Sequence, residues 1–150
     1  FKLPSGEPDG GWDFGPPPPE QRHLVFGVSA DGSVLAYRVP AGPKGNESGP
    51  AVVDGKTGSV IRRFTKHHFA SDVSLSADGR RVAVLLEIAA LSCTFDIVDA
   101  TTGTSLRTIR VETGRGVPTF ALAPDGSALI VHDQQTNKLR RFAVVPAKLP

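Results

Sequence analysis

Apolar residues along this chain fall into short runs of four to seven, separated by clusters of Gly, Asp, Ser and Pro. Nowhere do they hold the three-to-four spacing of an amphipathic helix. Runs of this length, rich in β-branched residues and bounded by turn formers, predict strands. They cover residues 24–29, 33–39, 51–54 and 59–64, then 73–76, 81–87, 94–99 and 105–111, and finally 119–123, 128–132 and 139–145. Some runs, such as Val82-Ala83-Val84-Leu85-Leu86 and Ala128-Leu129-Ile130-Val131, are nearly continuous, which predicts strands covered on both faces. Others, such as Val60-Ile61-Arg62-Arg63-Phe64 and Leu106-Arg107-Thr108-Ile109-Arg110, mix apolar residues with Arg and read as wetter, outer strands.

The punctuation repeats. Ser29-Ala30-Asp31-Gly32, Ser76-Ala77-Asp78-Gly79 and Ala123-Pro124-Asp125-Gly126 recur at an interval of 47 residues, so one supersecondary unit has been copied. Each tetrad sits between the first two strands of a unit, where Asp-Gly predicts a tight hairpin with positive φ at both turn positions. A second turn, Gly55-Lys56-Thr57-Gly58 and its counterpart Ala100 to Gly103, separates the third and fourth strands. Asp78 and Asp99 are 21 residues apart, and the same step from Asp125 reaches Pro146. The third strand of the third unit is therefore expected over 139–145, with Gln134 to Lys138 as the loop before it and no fourth strand. Units are expected at 23–69, 70–116 and 117–150.

Residues 1–22 break the pattern. Glycines and prolines, including the run Pro16 to Pro19, leave no room for a regular element, and polyproline II in a semi-rigid linker or arm is the expectation. Across the whole 150 residues, 16 Gly and 13 Pro with only 21% charged residues agree with many short strands joined by turns. A formal net charge of +2 is too small to argue for a nucleic-acid partner. The single cysteine, Cys93, excludes an internal disulfide and a cysteine-based zinc site. No apolar run is long enough to span a bilayer and no signal-peptide pattern is present, while the start at Phe1 and the lack of any Met suggest a segment or processed form. The compartment stays open.

Val73-Ser74-Leu75-Ser76-Ala77-Asp78-Gly79, Phe95-Asp96-Ile97-Val98-Asp99 with the following Thr-Thr-Gly, and above all Val117-Pro118-Thr119-Phe120-Ala121-Leu122-Ala123-Pro124-Asp125-Gly126 resemble the repeats of WD-repeat and YVTN-type β-propellers. The resemblance covers about residues 23–146 and departs from a strict WD repeat: Val53-Asp54 and Val98-Asp99 stand where Trp-Asp is expected, and no Gly-His pair precedes the first strands. It implies an all-β fold of four-stranded antiparallel blades, whose top face and central channel bind partners, most often proteins. Three units lacking one strand fall short of the four to eight blades of a closed ring. The arc is completed by further blades in the same chain or by a second copy in trans; the arm at Phe1 to Leu3 is a third source of the missing strand.

Chemistry-bearing residues are sparse. Adjacent His67 and His68 point different ways on extended backbone and lack a metal-site spacing, and His132-Asp133 has no nucleophile beside it. Asp31, Asp78, Asp125, Asp54 and Asp99 are explained by turn formation, and the glycine-rich turns lack a phosphate-loop spacing. The basic residues Arg62, Arg63, Lys66, Arg107, Arg110, Arg115, Lys138, Arg140 and Arg141 read as a solvated rim. No catalytic, cofactor-binding or metal-binding residue is assigned, and no cofactor is expected. The expectation is a non-catalytic scaffold for protein–protein interaction, using the loops 41–49, 67–72, 88–92, 112–116 and 134–137, whose sequences vary while the strands repeat. His67, His68, Asp72, Arg115, His132, Gln134, Gln135 and Asn137 are its candidate contact residues. The alternative is part of a propeller enzyme of lactonase or hydrolase type, with catalytic residues mostly outside this segment.

Overall fold

A computed structural model describes residues 27–39, 49–64, 72–89, 91–113, 118–133 and 136–144. They form three antiparallel sheets. The first runs in order β1 (Gly27–Val28), β2 (Val34–Val39), β3 (Gly49–Asp54) and β4 (Val60–Arg63). The second holds β5 (Asp72–Leu75), β6 (Arg81–Ala89), β7 (Ser92–Asp99) and β8 (Ser105–Glu112), and the third holds β9 (Thr119–Leu122), β10 (Ala128–Asp133) and β11 (Lys138–Ala143). Every neighbour in a sheet is the next strand in sequence, which is the blade plan expected from the repeat, and the blades stand in an open arc.

Two hydrophobic cores lie between the sheets. Val82 and Val84 of β6 pack with Val98, Ala100, Val73 and Leu75 against Ala36, Val52 and Phe64 of blade 1. Ala83 and Leu85, one step along the same strand, turn to the other face and join Phe95, Ile97, Leu122, Leu129 and Val131 between blades 2 and 3. The period-two alternation of a strand thus feeds both cores, and this explains why the middle blade reads as a continuous apolar run. Phe95 meets Phe120 edge-on, centroids 4.8 Å apart at 64°. Burying each such side chain contributes roughly 1.5–3 kcal/mol. Outer strands are wet by comparison: all four residues of β4 are exposed.

The tetrads make a different turn from the one expected. Gly32, Gly79 and Gly126 have φ of 69°, 71° and 68°, but none of the preceding aspartates has positive φ. The N–H of each glycine donates to the carbonyl three residues back, Ser29, Ser76 or Ala123, at 2.8–3.0 Å, so the two central residues form an ordinary β-turn and glycine alone takes the left-handed conformation. Asp holds the turn from outside. Its Oδ1 accepts the N–H of the residue two positions on, Ser33, Arg80 or Ser127. In the first two tetrads the opening serine adds a brace: Ser76 Oγ donates to Asp78 Oδ1 at 2.6 Å and accepts the Arg81 N–H at 3.0 Å, as Ser29 does with Asp31 and Val34.

These turns also join the blades, because Ala30 N–H donates to Ala77 O at 2.7 Å and Asp78 N–H to Pro124 O at 3.3 Å. Consecutive tetrads are thereby stacked. Arg62, Arg107 and Arg140, expected to form a solvated rim, reinforce the same seams, and so does Arg81. Arg62 Nε donates to Thr101 O at 3.0 Å, Arg81 Nη1 to Gly126 O at 2.8 Å, Arg140 Nη1 to Glu112 O at 2.9 Å, and Arg107 Nη1 to Ala143 O. A guanidinium has donors to spare and a long apolar stem, so it bridges to a neighbouring blade's carbonyl while its flank stays wet.

Counting by 47 fails in the later strands. Gly55 N–H donates to Ser33 O, Ala100 N–H to Arg80 O and Val144 N–H to Ser127 O, so Asp54, Asp99 and Ala143 occupy one structural position. Asp125 and Ala143 are 18 residues apart, against 21 in the second unit, because β10 and β11 are shorter than β6 and β7. The third strand of blade 3 is Lys138–Ala143 and does not reach 145.

Candidate interaction face

On one face of the arc the first strands begin and the second strands turn into the third. Register places Asp72 opposite Leu85 and Thr119 opposite His132, so β5 and β9 start there while β6 and β10 approach their hairpins. Adjacent first strands are fixed by the Leu122 N–H, which donates to Ser74 Oγ at 3.1 Å.

Three of the sequence-predicted contact residues stand on this face: Asp72, His132 and Asn137. His132 Nε2 lies 3.0 Å from Asn137 Oδ1, so the structure brings these two together. Asn137, at φ 51°, is the only non-glycine residue with positive φ among the described residues. The reason lies in the turn. Asp133 Oδ2 accepts the Thr136 hydroxyl at 2.7 Å, just as Asp54 Oδ1 accepts Thr57 Oγ1 and Asp99 Oδ1 accepts Thr102 Oγ1, each at 3.0 Å, before the left-handed Gly58 and Gly103. Asp-x-x-Thr-Gly becomes Asp-x-x-Thr-Asn. The shared pattern is legible in the sequence, though it sits between the second and third strands here and between the third and fourth in the other blades. Asp133 is buried, with Arg140 Nη2 at 3.7 Å, so its carboxylate serves the turn and the blade seam.

Asp72 opens β5 half-buried, and its Oδ1 accepts the Val73 N–H at 2.7 Å. Burial pushes its pKa above the usual carboxylate range, with the hydrogen bond from Val73 opposing. The turn aspartates go the other way. The Ser33 N–H, followed by the Ser29 and Ser33 hydroxyls, brings Asp31 down to about 2, and backbone donors from Thr57, Thr102 and Ser127 lead in lowering Asp54, Asp99 and Asp125. His67, His68, Arg115, Gln134 and Gln135 lie outside the described residues, as do the arm and most of the loop 41–49. Among the described residues no three metal-ligating side chains converge.

The segment 88–92, expected as a loop, is the end of a regular hairpin. Glu87 pairs with Thr94, Ile88 with Cys93 and Ala89 with Ser92, past a bulge between Leu85 and Glu87. β8 follows it outward, with Ser92 opposite Glu112, and the Thr113 N–H donates to Leu91 O at 3.0 Å. Buried Cys93 faces Thr113 Oγ1 at 3.5 Å beneath. Three paired strands therefore lead to an exposed apolar tip: Ile88 is 40% and Leu91 66% exposed. Their signal in the sequence is the apolar run Ile88-Ala89-Ala90-Leu91 at a position expected to be a loop.

No protein-family model and no curated protein matches the chain. Solved structures do. The chain is similar to Hsv2 of Kluyvelomyces marxianus (18% identity, TM-score 0.59, 84% of this chain against 36% of that one) and to BamB of Moraxella catarrhalis (16%, 0.52, 81% against 34%). It is also similar to an uncharacterised Listeria monocytogenes protein (13%, 0.54, 80% against 36%). The fold is a partial β-propeller. It spans about a third of the length of each of these chains. At such identities the likeness carries the architecture alone. No helix among the described residues is long and apolar enough to cross a membrane.

Proposed function

We propose that this propeller segment is a non-catalytic scaffold that docks a protein partner through the face of the arc carrying the β6–β7 hairpin tip. The observation that carries it is the exposed pair Ile88 and Leu91, held out on three hydrogen-bonded strands. An apolar anchor on a rigid element loses little conformational entropy on burial, and such anchors supply most of the energy of a protein interface. His132 and Asn137, bonded to each other, and half-buried Asp72 are the polar groups of the same face. Similarity to Hsv2 and BamB supports the scaffold only through the fold.

The competing reading, a fragment of a propeller hydrolase, draws on Asp72, whose raised pKa is the kind of perturbation found at catalytic carboxylates. Metal content and partner binding of the full-length protein separate the two. The scaffold predicts binding that is lost in Ile88→Asp and Leu91→Asp variants of unchanged melting temperature, with no bound metal. Stoichiometric metal, with partner binding indifferent to both substitutions, would favour the enzyme.

A further inference from the structure

The arginine bonds between blades do not all lie on the same face of the arc. Arg62, Arg81 and Arg107 reach the carbonyls of Thr101, Gly126 and Ala143, on the face where the tetrads stack. Arg140 works on the opposite face. Its Nη1 donates to Glu112 O at 2.9 Å, and its Nη2 lies 3.7 Å from Oδ2 of buried Asp133. Both acceptors belong to the docking elements. Glu112 pairs with Ser92 at the base of the β6–β7 tip, and the next residue, Thr113, gives its N–H to Leu91 O. In an antiparallel ladder this alternation turns the Glu112 carbonyl away from β7, and the guanidinium satisfies it instead. Asp133 Oδ2 also accepts the Thr136 hydroxyl at 2.7 Å, in the turn that sets Asn137 beside His132.

Nothing in the blade plan calls for a cation at this place. In each unit the residue six positions after the tetrad aspartate, Tyr37, Val84 or Val131, pairs with one residue of the third strand: Ala51, Asp96 or Arg140. One site of the repeat thus holds alanine, aspartate and arginine in turn. The arginine stands in the blade next to the extended tip. Its planar guanidinium offers donors in a fixed fork, and so can meet a carbonyl of one blade and a carboxylate of the next together.

We infer that Arg140 is the positioning residue of the docking face: by bridging Glu112 O and Asp133 it fixes the outer strand of the tip to the β10–β11 turn, so that Ile88 and Leu91 keep one arrangement relative to His132 and Asn137. Its value for binding rests on the docking reading above, since an anchor that is already ordered loses less entropy when a partner covers it. The bridge itself does not rest on that reading.

Amide exchange of the full chain tests the bridge without any partner. Arg140→Ala is expected to speed exchange of the Thr113 amide, which bonds to Leu91 O, about ten-fold. Arg140→Lys should also speed it, because one ammonium keeps the charge but cannot meet both acceptors. Arg81→Ala is the control: it removes a seam bond on the tetrad face and should leave Thr113 unchanged, with melting curves showing that each variant is folded. Thr113 exchange unmoved by Arg140→Ala, restored in full by lysine, or quickened as much by Arg81→Ala would each overturn the inference. Photo-crosslinking from Leu91 then reads the consequence for binding. Where the unaltered protein gives a partner adduct, Arg140→Ala should weaken it several-fold; an undiminished adduct beside faster exchange would overturn the positioning role. Absence of any adduct from the unaltered protein counts against the docking reading instead, and Thr113 exchange still decides the bridge.

Discussion

Ser76 ties the first hairpin of blade 2 with one hydroxyl that both accepts and donates. Ser76→Ala removes that brace from a buried site and is expected to cost about 1–2 kcal/mol in urea unfolding. The third tetrad, which has Ala123 in that place, is already built without it. The glycines separate conformation from contact. Gly32 and Gly79 share φ near 70°, yet a Cβ on Gly32 would meet nothing within 4 Å, whereas one on Gly79 would lie 3.1 Å from Val34 Cγ2. Gly32→Ala should therefore cost about 1–2 kcal/mol from the left-handed backbone alone, and Gly79→Ala measurably more. The turn aspartates set an acid limit. Their folded pKa values lie below the unfolded value of about 3.9, so the stability they add is complete above that value and is lost as pH falls through the folded values, to about 2 for Asp31. Asp72 has the opposite sign: its raised pKa means ionisation penalises the folded state, so Asp72→Asn should raise stability at pH 7 and change it little near pH 3. Melting temperatures across pH 2–8 check both. The aspartates as turn formers were legible in the sequence; which residue of Asp-Gly carried the positive φ was not, because a two-residue and a longer hairpin turn share that dipeptide.

Strand existence was legible and strand length was not. Periodicity and repeated turns located the eleven strands of the described residues, but the second unit's step of 21 residues could not be transferred to the third, since β10 and β11 are shorter than β6 and β7. Loop length is set locally, whereas the repeat is kept by the packing of strands between blades. The same distinction hid the apolar tip: Ile88 and Leu91 continue a hairpin instead of filling a loop. Blade contacts carry their own prediction. Phe95 is fully buried between blades 2 and 3, so Phe95→Ala should cost about 3–5 kcal/mol, close to the whole stability of a small domain. Arg81→Ala removes one hydrogen bond to Gly126 O and is expected to cost about 1–2 kcal/mol. Equilibrium denaturation ranks the two, and equal costs would mean that seam hydrogen bonds rival the apolar core.

Across the whole molecule, three blades in an open arc carry loops that vary in sequence on strands that repeat. Fold class was readable because a repeated unit constrains every copy at once. The candidate site was readable only in part, since an exposed apolar tip leaves no motif, and of Asp72, His132 and Asn137 the structure bonds only the last two to each other. The scaffold reading is tested most directly by photo-crosslinking of the full-length protein in its host cells, with the crosslinking residue at Leu91 or, as control, at exposed Leu106 on the outer strand. A discrete protein adduct from Leu91, absent from Leu106 and lost on adding Ile88→Asp, is the expected result. Equal adducts from both positions, or none from Leu91, would contradict it.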